Sequence, residues 1–169
     1  MLGANQVGKS LTGAFEAAVH PTGNYPKDWP GYRFSRPINL AVVGQSSQKT
    51  RDIQQFRLLG NPNDPSSTGF IPPDLIVSTT RSHGVQGAFD QVVVRSVFGG
   101  NSTINFRSYD QGVRRLASDT FDAVYCDEEP EKEIYEELLA RITATRGILY
   151  TTFTPTYDVH ADAGQHRTS

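Results

Sequence analysis

Apolar positions along the chain fall into short continuous runs separated by segments with helical spacing. Residues 38–43 and 123–126 are nearly uninterrupted apolar runs, which are typical of buried strands. Residues 91–97 and 102–108 predict two more strands, joined by a Gly-Gly-Asn turn that favours a hairpin. Residues 148–153 predict a last strand before a Thr-Pro stop.

Three other segments, residues 10–19, 49–59 and 131–142, repeat apolar residues every three or four positions and predict amphipathic helices. The apolar residues at this spacing are Leu11, Ala14, Phe15 and Ala18 in the first helix and Ile53, Phe56 and Leu59, on one side, in the second. In the third helix Ile134, Leu138, Leu139 and Ile142 are expected to face inward. Residues 60–73 are rich in Pro, Gly, Asn and Ser and predict a loop. Strands that alternate with helices predict an α/β fold with a mainly parallel sheet.

Composition narrows the class of protein. The chain has 169 residues, enough for one domain with a core, and its single Cys excludes a disulfide framework and a multi-Cys zinc site. No run of 18 apolar residues and no secretory signal pattern occur, so we expect a soluble protein of a reducing cytoplasm with no membrane contact. Residues 1–115 have a surplus of positive charge and residues 116–169 a surplus of negative charge, so a polyanion would contact the first part.

The first candidate site is the pattern G-x-x-x-x-G-K-[ST] near the N-terminus. It consists of Gly3, Ala4, Asn5, Gln6, Val7, Gly8, Lys9 and Ser10. Its two glycines let the backbone wrap so that amide N–H groups point at phosphate oxygens, and the following helix adds its positive end. Lys9 would reach the β- and γ-phosphates of ATP, and the Ser10 hydroxyl would bind Mg²⁺. A Gly-rich turn before a helix is the purely structural alternative.

An apolar strand that ends in two acids is the expected partner of this motif. Asp127 and Glu128 follow residues 123–126 directly. Asp127 would hold Mg²⁺ through water, and Glu128 would orient the water that attacks the γ-phosphate. Such a strand end is common by itself, but paired with the upstream motif it favours a nucleotide site.

Two further features could complete hydrolysis. Thr152 and Thr154 lie where the next strand ends, beside the expected phosphates, although Thr is also simply a good strand former. Hydrolysis also needs a cation near the developing charge. The candidates are Arg107, Arg114, Arg115 and Arg141, any of which could instead form a surface ion pair.

The chain also resembles a known family. The segments GNYP at 23–26, DWPG at 28–31, SYDQG at 108–112, DEEP at 127–130 and TFTP at 152–155, together with the opening motif and Arg51-Asp52, are similar to the ATPase domain of tailed-phage terminase large subunits. The similarity covers roughly residues 2–156. We therefore expect one partial ATPase domain at 1–156 and a polar tail at 157–169.

The resemblance implies a P-loop NTPase three-layer sandwich in an ATP-hydrolysing motor that packages double-stranded DNA into a capsid in the bacterial host. It implies ATP and Mg²⁺ as cofactors and assigns the phosphate loop to Gly3–Ser10. It assigns metal binding to Ser10 and Asp127, catalysis to Lys9 and Glu128, and coupling to Thr152 and Thr154. Arg114 is our choice of arginine finger. Double-stranded DNA, a portal protein, a small terminase subunit and further copies in a ring are the implied partners.

One feature departs from this pattern and leaves alternatives open. The motif should follow a strand, but only Met1 and Leu2 precede Gly3. We therefore expect the first strand to be largely missing and the chain to be truncated at both ends. A helicase- or recombinase-like P-loop NTPase, or a non-catalytic remnant that binds only a partner or nucleotide, are the alternatives.

Overall fold

The computed structural model of the chain describes residues 5–153 except Pro62, Pro65 and Ser118, and for residues 5–7 it describes the backbone only. The predicted tail at 157–169 lies outside the described residues. No helix within the described part is long and apolar enough to cross a membrane.

Six strands form one mixed sheet in the order β2-β3-β4-β1-β5-β6. They are β1 Asn39–Gly44, β2 Ile76–Arg81, β3 Phe89–Arg95, β4 Asn101–Ser108, β5 Ala123–Asp127 and β6 Ile148–Thr152. β1 pairs in parallel with β4 and β5, and β5 pairs in parallel with β6. β3 pairs antiparallel with both β2 and β4. The prediction of an α/β fold with a mostly parallel sheet is confirmed, as is the hairpin.

Helices lie on both faces of this sheet. They are α1 Asn5–Thr22, α2 Ser47–Lys49, α3 Phe56–Leu59, α4 Val113–Leu116 and α5 Lys132–Thr143, with a π-helical stretch Thr50–Gln55 between α2 and α3. Leu40 and Val42 of β1 share one core cluster with Ala17 and Ala18 of α1. The alternate β1 residues belong to a second cluster with the buried side chains of α4 and α5. This two-residue alternation packs the central strands between two helical layers.

The helix predicted at residues 49–59 has a different buried face. Its fully buried apolar residue is Leu58, whereas Ile53, Phe56 and Leu59 are only partly buried. The prediction was wrong because Thr50–Gln55 is π-helical, with i→i+5 hydrogen bonds that add a residue to the turn and rotate the face. Three polar residues of that stretch, Thr50, Gln54 and Gln55, are buried as a result.

Two other expectations also need correction. Sequence patterning did not predict β2, an edge strand whose last five residues are exposed and therefore carry no alternation of burial. In α5 the buried residues are Ile134, Leu138 and Ile142, as predicted, but Leu139 is 37% exposed. Leu139 lies one residue past the inward stripe, so it points away from the sheet.

The first helix begins earlier than predicted. α1 starts at Asn5 instead of residue 10, so residues 5–8 of the predicted phosphate loop are helical. Asn5, Gln6 and Val7 include no helix breaker, and extending an existing helix costs far less than starting one. Lys9 and Ser10 consequently lie on the first turns of α1.

Candidate functional site

A cleft opens where β1, β5 and β6 end and α1 begins. Its volume is about 380 Å³, and Lys9, Ser10, Arg57, Asp127, Glu128 and Thr152 are among the residues that line it. Ligands of parallel α/β sheets bind in the crevice outside the carboxyl ends of the strands, which is where this cleft lies. The fold thus places side chains from both ends of the chain around one polar space.

The Tyr125 hydroxyl joins the start of α1 to the end of β5. Tyr125 Oη lies 3.5 Å from the Ser10 carbonyl oxygen and 3.3 Å from Asp127 Oδ1. Thr152 Oγ1 lies 3.0 Å from the same hydroxyl and donates to Asp127 Oδ1 over 3.2 Å. Ser10, Asp127 and Thr152 therefore meet around a single buried hydroxyl group.

A glycine in α1 permits this approach. A Cβ atom at Gly13 would lie 2.5 Å from Cε2 of Tyr125, so any side chain there would collide with the ring. The ring is held from its other side by Tyr150, whose ring stacks on it with centroids 5.1 Å apart. The position of α1 against β5 is therefore set by a close contact between helix backbone and aromatic ring.

Lys9 links the same helix to the end of β6. Its ammonium group donates a hydrogen bond of 3.1 Å to the carbonyl oxygen of Phe153. Lys9 is thus bonded to the residue that directly follows Thr152, the last residue of β6.

Glu128 has an unusual backbone conformation. Its φ is +76°, in the left-handed region that residues with a Cβ rarely adopt. Two hydrogen bonds hold it there: the Glu128 amide donates to the Thr152 carbonyl over 2.8 Å, and the Tyr109 hydroxyl donates to the Glu128 carbonyl over 2.7 Å. Strained residues held in this way concentrate at functional sites.

Burial keeps the two tyrosine hydroxyls protonated. Desolvation raises the pKa of Tyr109 and of Tyr125 well above the usual 10, and the nearby Asp127 carboxylate raises both further. Both groups therefore remain hydrogen-bond donors across the physiological pH range.

The structure does not bring the chosen arginine finger to the cleft. Arg114 is exposed on α4, and it is not among the residues that line the cleft. Arg107 is buried between Asp90 and Asp119, at 3.1 Å from each. The other two candidates are also engaged in ion pairs: Arg115 with Asp90, and Arg141 with Glu137.

The predicted phosphate-binding set lies only partly within the described residues. Gly3, Ala4 and Thr154 lie outside the described residues. Asn5, Gln6 and Val7 are described only as helical backbone, and Gly8 is exposed on the same helix. Of the predicted residues, the structure therefore gathers Lys9, Ser10, Asp127, Glu128 and Thr152.

The comparisons with known proteins agree with the sequence motifs. Residues 1–167 match the protein family described as terminase large subunit, T4likevirus-type, N-terminal. The chain belongs to the terminase large subunit family. It is 34% identical over 173 aligned residues to the large terminase subunit of Salmonella phage P22. The aligned region covers 91% of this chain and 35% of the phage P22 protein. The chain thus spans about a third of the length of this relative, and no solved structure matches it.

The donor set of this terminase domain suits a hard cation such as Mg²⁺. Asp127 receives its described hydrogen bonds at Oδ1, and within the described part of the chain Oδ2 has no partner. Among the described residues no three His, Cys, Asp or Glu side chains converge on one point. Mg²⁺ is usually held by one or two carboxylates together with substrate phosphates and water, which fits Asp127 and the Ser10 hydroxyl.

Sequence reasoning missed three residues of the site. Tyr125 was hidden within an apolar run, where its ring reads as core. Lys49 and Arg57 lie in the cleft on the second helical segment. Lys49 Nζ donates to Gln45 Oε1 over 2.5 Å. Their place depends on how the π-helical stretch turns this segment, which periodicity does not reveal.

Proposed function

We propose that this chain is the ATP-hydrolysing domain of a terminase large subunit, with a P-loop NTPase fold, and that it drives packaging of double-stranded phage DNA. The observation that supports this most is the convergence of Ser10, Asp127 and Thr152 on the Tyr125 hydroxyl. A triphosphate in the cleft would meet the positive end of α1 and the acids at the end of β5 together.

Lys9 would bind the triphosphate. Its hydrogen bond to the neutral Phe153 carbonyl is weaker than a bond to an anionic phosphate oxygen, in which both groups are charged, so bound nucleotide would attract the ammonium group away from Phe153. The Ser10 hydroxyl and Asp127 would hold Mg²⁺, which neutralises phosphate charge when bound.

Glu128 would orient the attacking water. Its carboxylate lies in the cleft on a backbone clamped to β6 and to Tyr109. Thr152 contacts both Asp127 and Tyr125, so loss of the γ-phosphate after hydrolysis would shift the hydrogen bonds at the end of β6. We therefore assign to Thr152 the role of coupling hydrolysis to motion. Thr154 has the same proposed role on the strength of the sequence motif.

Measurement of binding and turnover separately tests this assignment. In the 169-residue chain, we expect Glu128→Gln to lower ATP turnover by about 10²- to 10⁴-fold and to preserve Mg·ATP binding. Lys9→Ala should lose both. Glu129→Gln is the matched control, because Glu129 is exposed next to Glu128 and does not line the cleft. Equal turnover in the wild-type, Lys9 and Glu128 proteins would refute the site.

One observation favours a second candidate, a non-catalytic domain. Residues 5–8 are helical, so their amide N–H groups do not form the wrapped loop that phosphate binding needs. Titration calorimetry with ATP and Mg²⁺ discriminates between the two. Binding without turnover, or no heat at all, would favour the non-catalytic domain over the ATPase.

DNA contact is proposed from family membership and from charge. The surplus of positive charge in residues 1–115 permits contact with a duplex, and such binding should weaken steeply with salt as counterions are released. Salt-independent binding would contradict it. A portal protein, a small terminase subunit and further copies in a ring inside the bacterial host are proposed on the same basis.

A further inference from the structure

Arg57 is a third cation in the cleft, besides Lys9 and Lys49. Arg57 lies on α3 and lines the cleft together with Lys9, Asp127 and Glu128. Its Nη1 atom is buried and has no hydrogen-bond partner among the described residues. A buried guanidinium N–H without an acceptor costs folding free energy, and natural proteins leave few of them.

The segment that carries Arg57 has a second unsatisfied group. Gln54, at the end of the π-helical stretch, is completely buried, and neither its Nε2 nor its Oε1 atom has a partner within the described part of the chain. π-helical insertions themselves occur mostly at functional sites. Two orphaned polar groups within one turn indicate a segment whose native geometry is not optimised for stability alone.

The other cations of the cleft have acceptors. Lys9 donates to the Phe153 carbonyl and Lys49 to the Gln45 side chain. Arg57 differs because its buried Nη1 atom has no acceptor among the described residues. Arg57 lines the same cleft as Asp127 and Glu128, so its guanidinium and the two acids face one space.

We propose that Arg57 is a further catalytic residue, whose guanidinium contacts the terminal phosphate of a nucleoside triphosphate bound in this cleft. This inference rests on the proposed function. The planar fork of an arginine matches the oxygens of a phosphate, so one ligand would satisfy the orphaned donor. The cation that stabilises the charge developing on the phosphate would then be supplied by α3 of the chain that binds the nucleotide.

The reaction that Arg57 would assist is balanced by ATP and water alone. The water oxygen forms a bond to the γ-phosphorus, and the bond from that phosphorus to the oxygen it shares with the β-phosphate breaks. ADP leaves with the electron pair, and one water proton passes to Glu128 or solvent. Negative charge grows on the leaving oxygen and on the γ-phosphate oxygens, where a guanidinium stabilises it.

Three variants of the 169-residue chain test this proposal. Arg57→Met removes the charge, Arg57→Lys keeps the charge without the fork, and Arg95→Gln is the matched control. Arg95 is exposed at the end of β3 that pairs with Asn101, at the opposite end of the sheet from the cleft. The measurements are calorimetric affinities for Mg·ATP and Mg·ADP, turnover, and the unfolding temperature without nucleotide.

We expect Arg57→Met to weaken ATP binding by about 10- to 100-fold, as expected for loss of a hydrogen bond to a charged group, and to leave ADP binding within about twofold. Turnover should fall further, Arg57→Lys should recover part of the ATP affinity, and Arg95→Gln should match wild type. Without nucleotide, Arg57→Met should unfold at the same or a higher temperature, since an unsatisfied buried donor has gone.

Two results would overturn the proposal. One is an unchanged ratio of ATP to ADP affinity in Arg57→Met. The other is a lower unfolding temperature with equal loss of both nucleotides, which would make Arg57 a structural residue. If the wild-type chain binds neither nucleotide, the proposed function fails as well. If the wild-type chain binds both nucleotides and Arg57→Met leaves the ratio of ATP to ADP affinity unchanged, only the role of Arg57 is refuted.

Discussion

The contact between α1 and β5 makes a prediction whose sign is opposite to the usual one. Replacement of Gly by Ala inside a helix normally stabilises a protein by up to about 1 kcal/mol. At Gly13 the new Cβ would lie 2.5 Å from Cε2 and 2.6 Å from Cζ of Tyr125, whereas carbon atoms in contact are about 3.5–4.0 Å apart. The helix or the ring would have to move by about 1 Å.

The ring has little freedom to move. Tyr125 stacks on Tyr150 at an interplanar angle of 13°, and its hydroxyl is bonded to Asp127 and Thr152. Overpacking of this kind costs about 1–3 kcal/mol, and the collision with several ring atoms favours the upper part of that range. After the helical gain is subtracted, we expect Gly13→Ala to lower the free energy of unfolding by about 2 kcal/mol.

Urea denaturation measures this change, and Gly8→Ala is the matched control in the same helix. Apart from the backbone of its own helix, no atom of the described residues lies within 4 Å of a Cβ at Gly8, so that variant should be neutral or slightly stabilised. Combining Gly13→Ala with Tyr125→Leu should recover part of the loss, because the clash partner has been removed. If Gly13→Ala is as stable as Gly8→Ala, α1 does not pack on β5 as described. The placement of Lys9 and Ser10 beside Asp127 would then be wrong as well.

Three further predictions concern Glu128 and the end of β5 that precedes it. Glu128→Gly should raise the free energy of unfolding by about 1 kcal/mol, because Gly adopts a φ of +76° without strain, and ATP turnover should be lost. A lower free energy of unfolding in urea denaturation would contradict the backbone strain at Glu128. Tyr109→Phe should cost about 1 kcal/mol and lower turnover, since the Glu128 carbonyl loses its donor, and unchanged turnover would show that this clamp has no influence on Glu128. Burial raises the pKa of Cys126 to about 12, so iodoacetamide at pH 8 should label the thiol only after unfolding in urea; rapid labelling of the folded chain, followed by mass spectrometry, would show that β5 is not buried.

Regular packing made most of the sheet predictable. β1 and β5 are buried on both faces, so their sequences are continuous apolar runs, and the Gly-rich turn marks the β3–β4 hairpin. β2 was not predicted because an exposed edge strand has no buried face that would require apolar and polar residues to alternate. The second helical segment was misread because a period of 3.6 residues does not apply across Thr50–Gln55.

The site was predictable only where a motif carried chemistry by itself. Lys9, Ser10, Asp127 and Glu128 were named from spacing and strand ends, and the structure brings them to one cleft. Arg57 has no such signal. Its place depends on the turn of a π-helical stretch, and its lack of an acceptor among the described residues is revealed only by three-dimensional packing.

A crystal structure of the chain with Mg²⁺ and a non-hydrolysable ATP analogue tests the central claim most directly. We predict the β- and γ-phosphates at the start of α1 within hydrogen-bonding distance of Lys9, and a metal ion about 2.0–2.1 Å from the Ser10 hydroxyl oxygen with Asp127 beside it. A nucleotide bound elsewhere on the chain, or a cleft still empty at saturating analogue, would contradict the account.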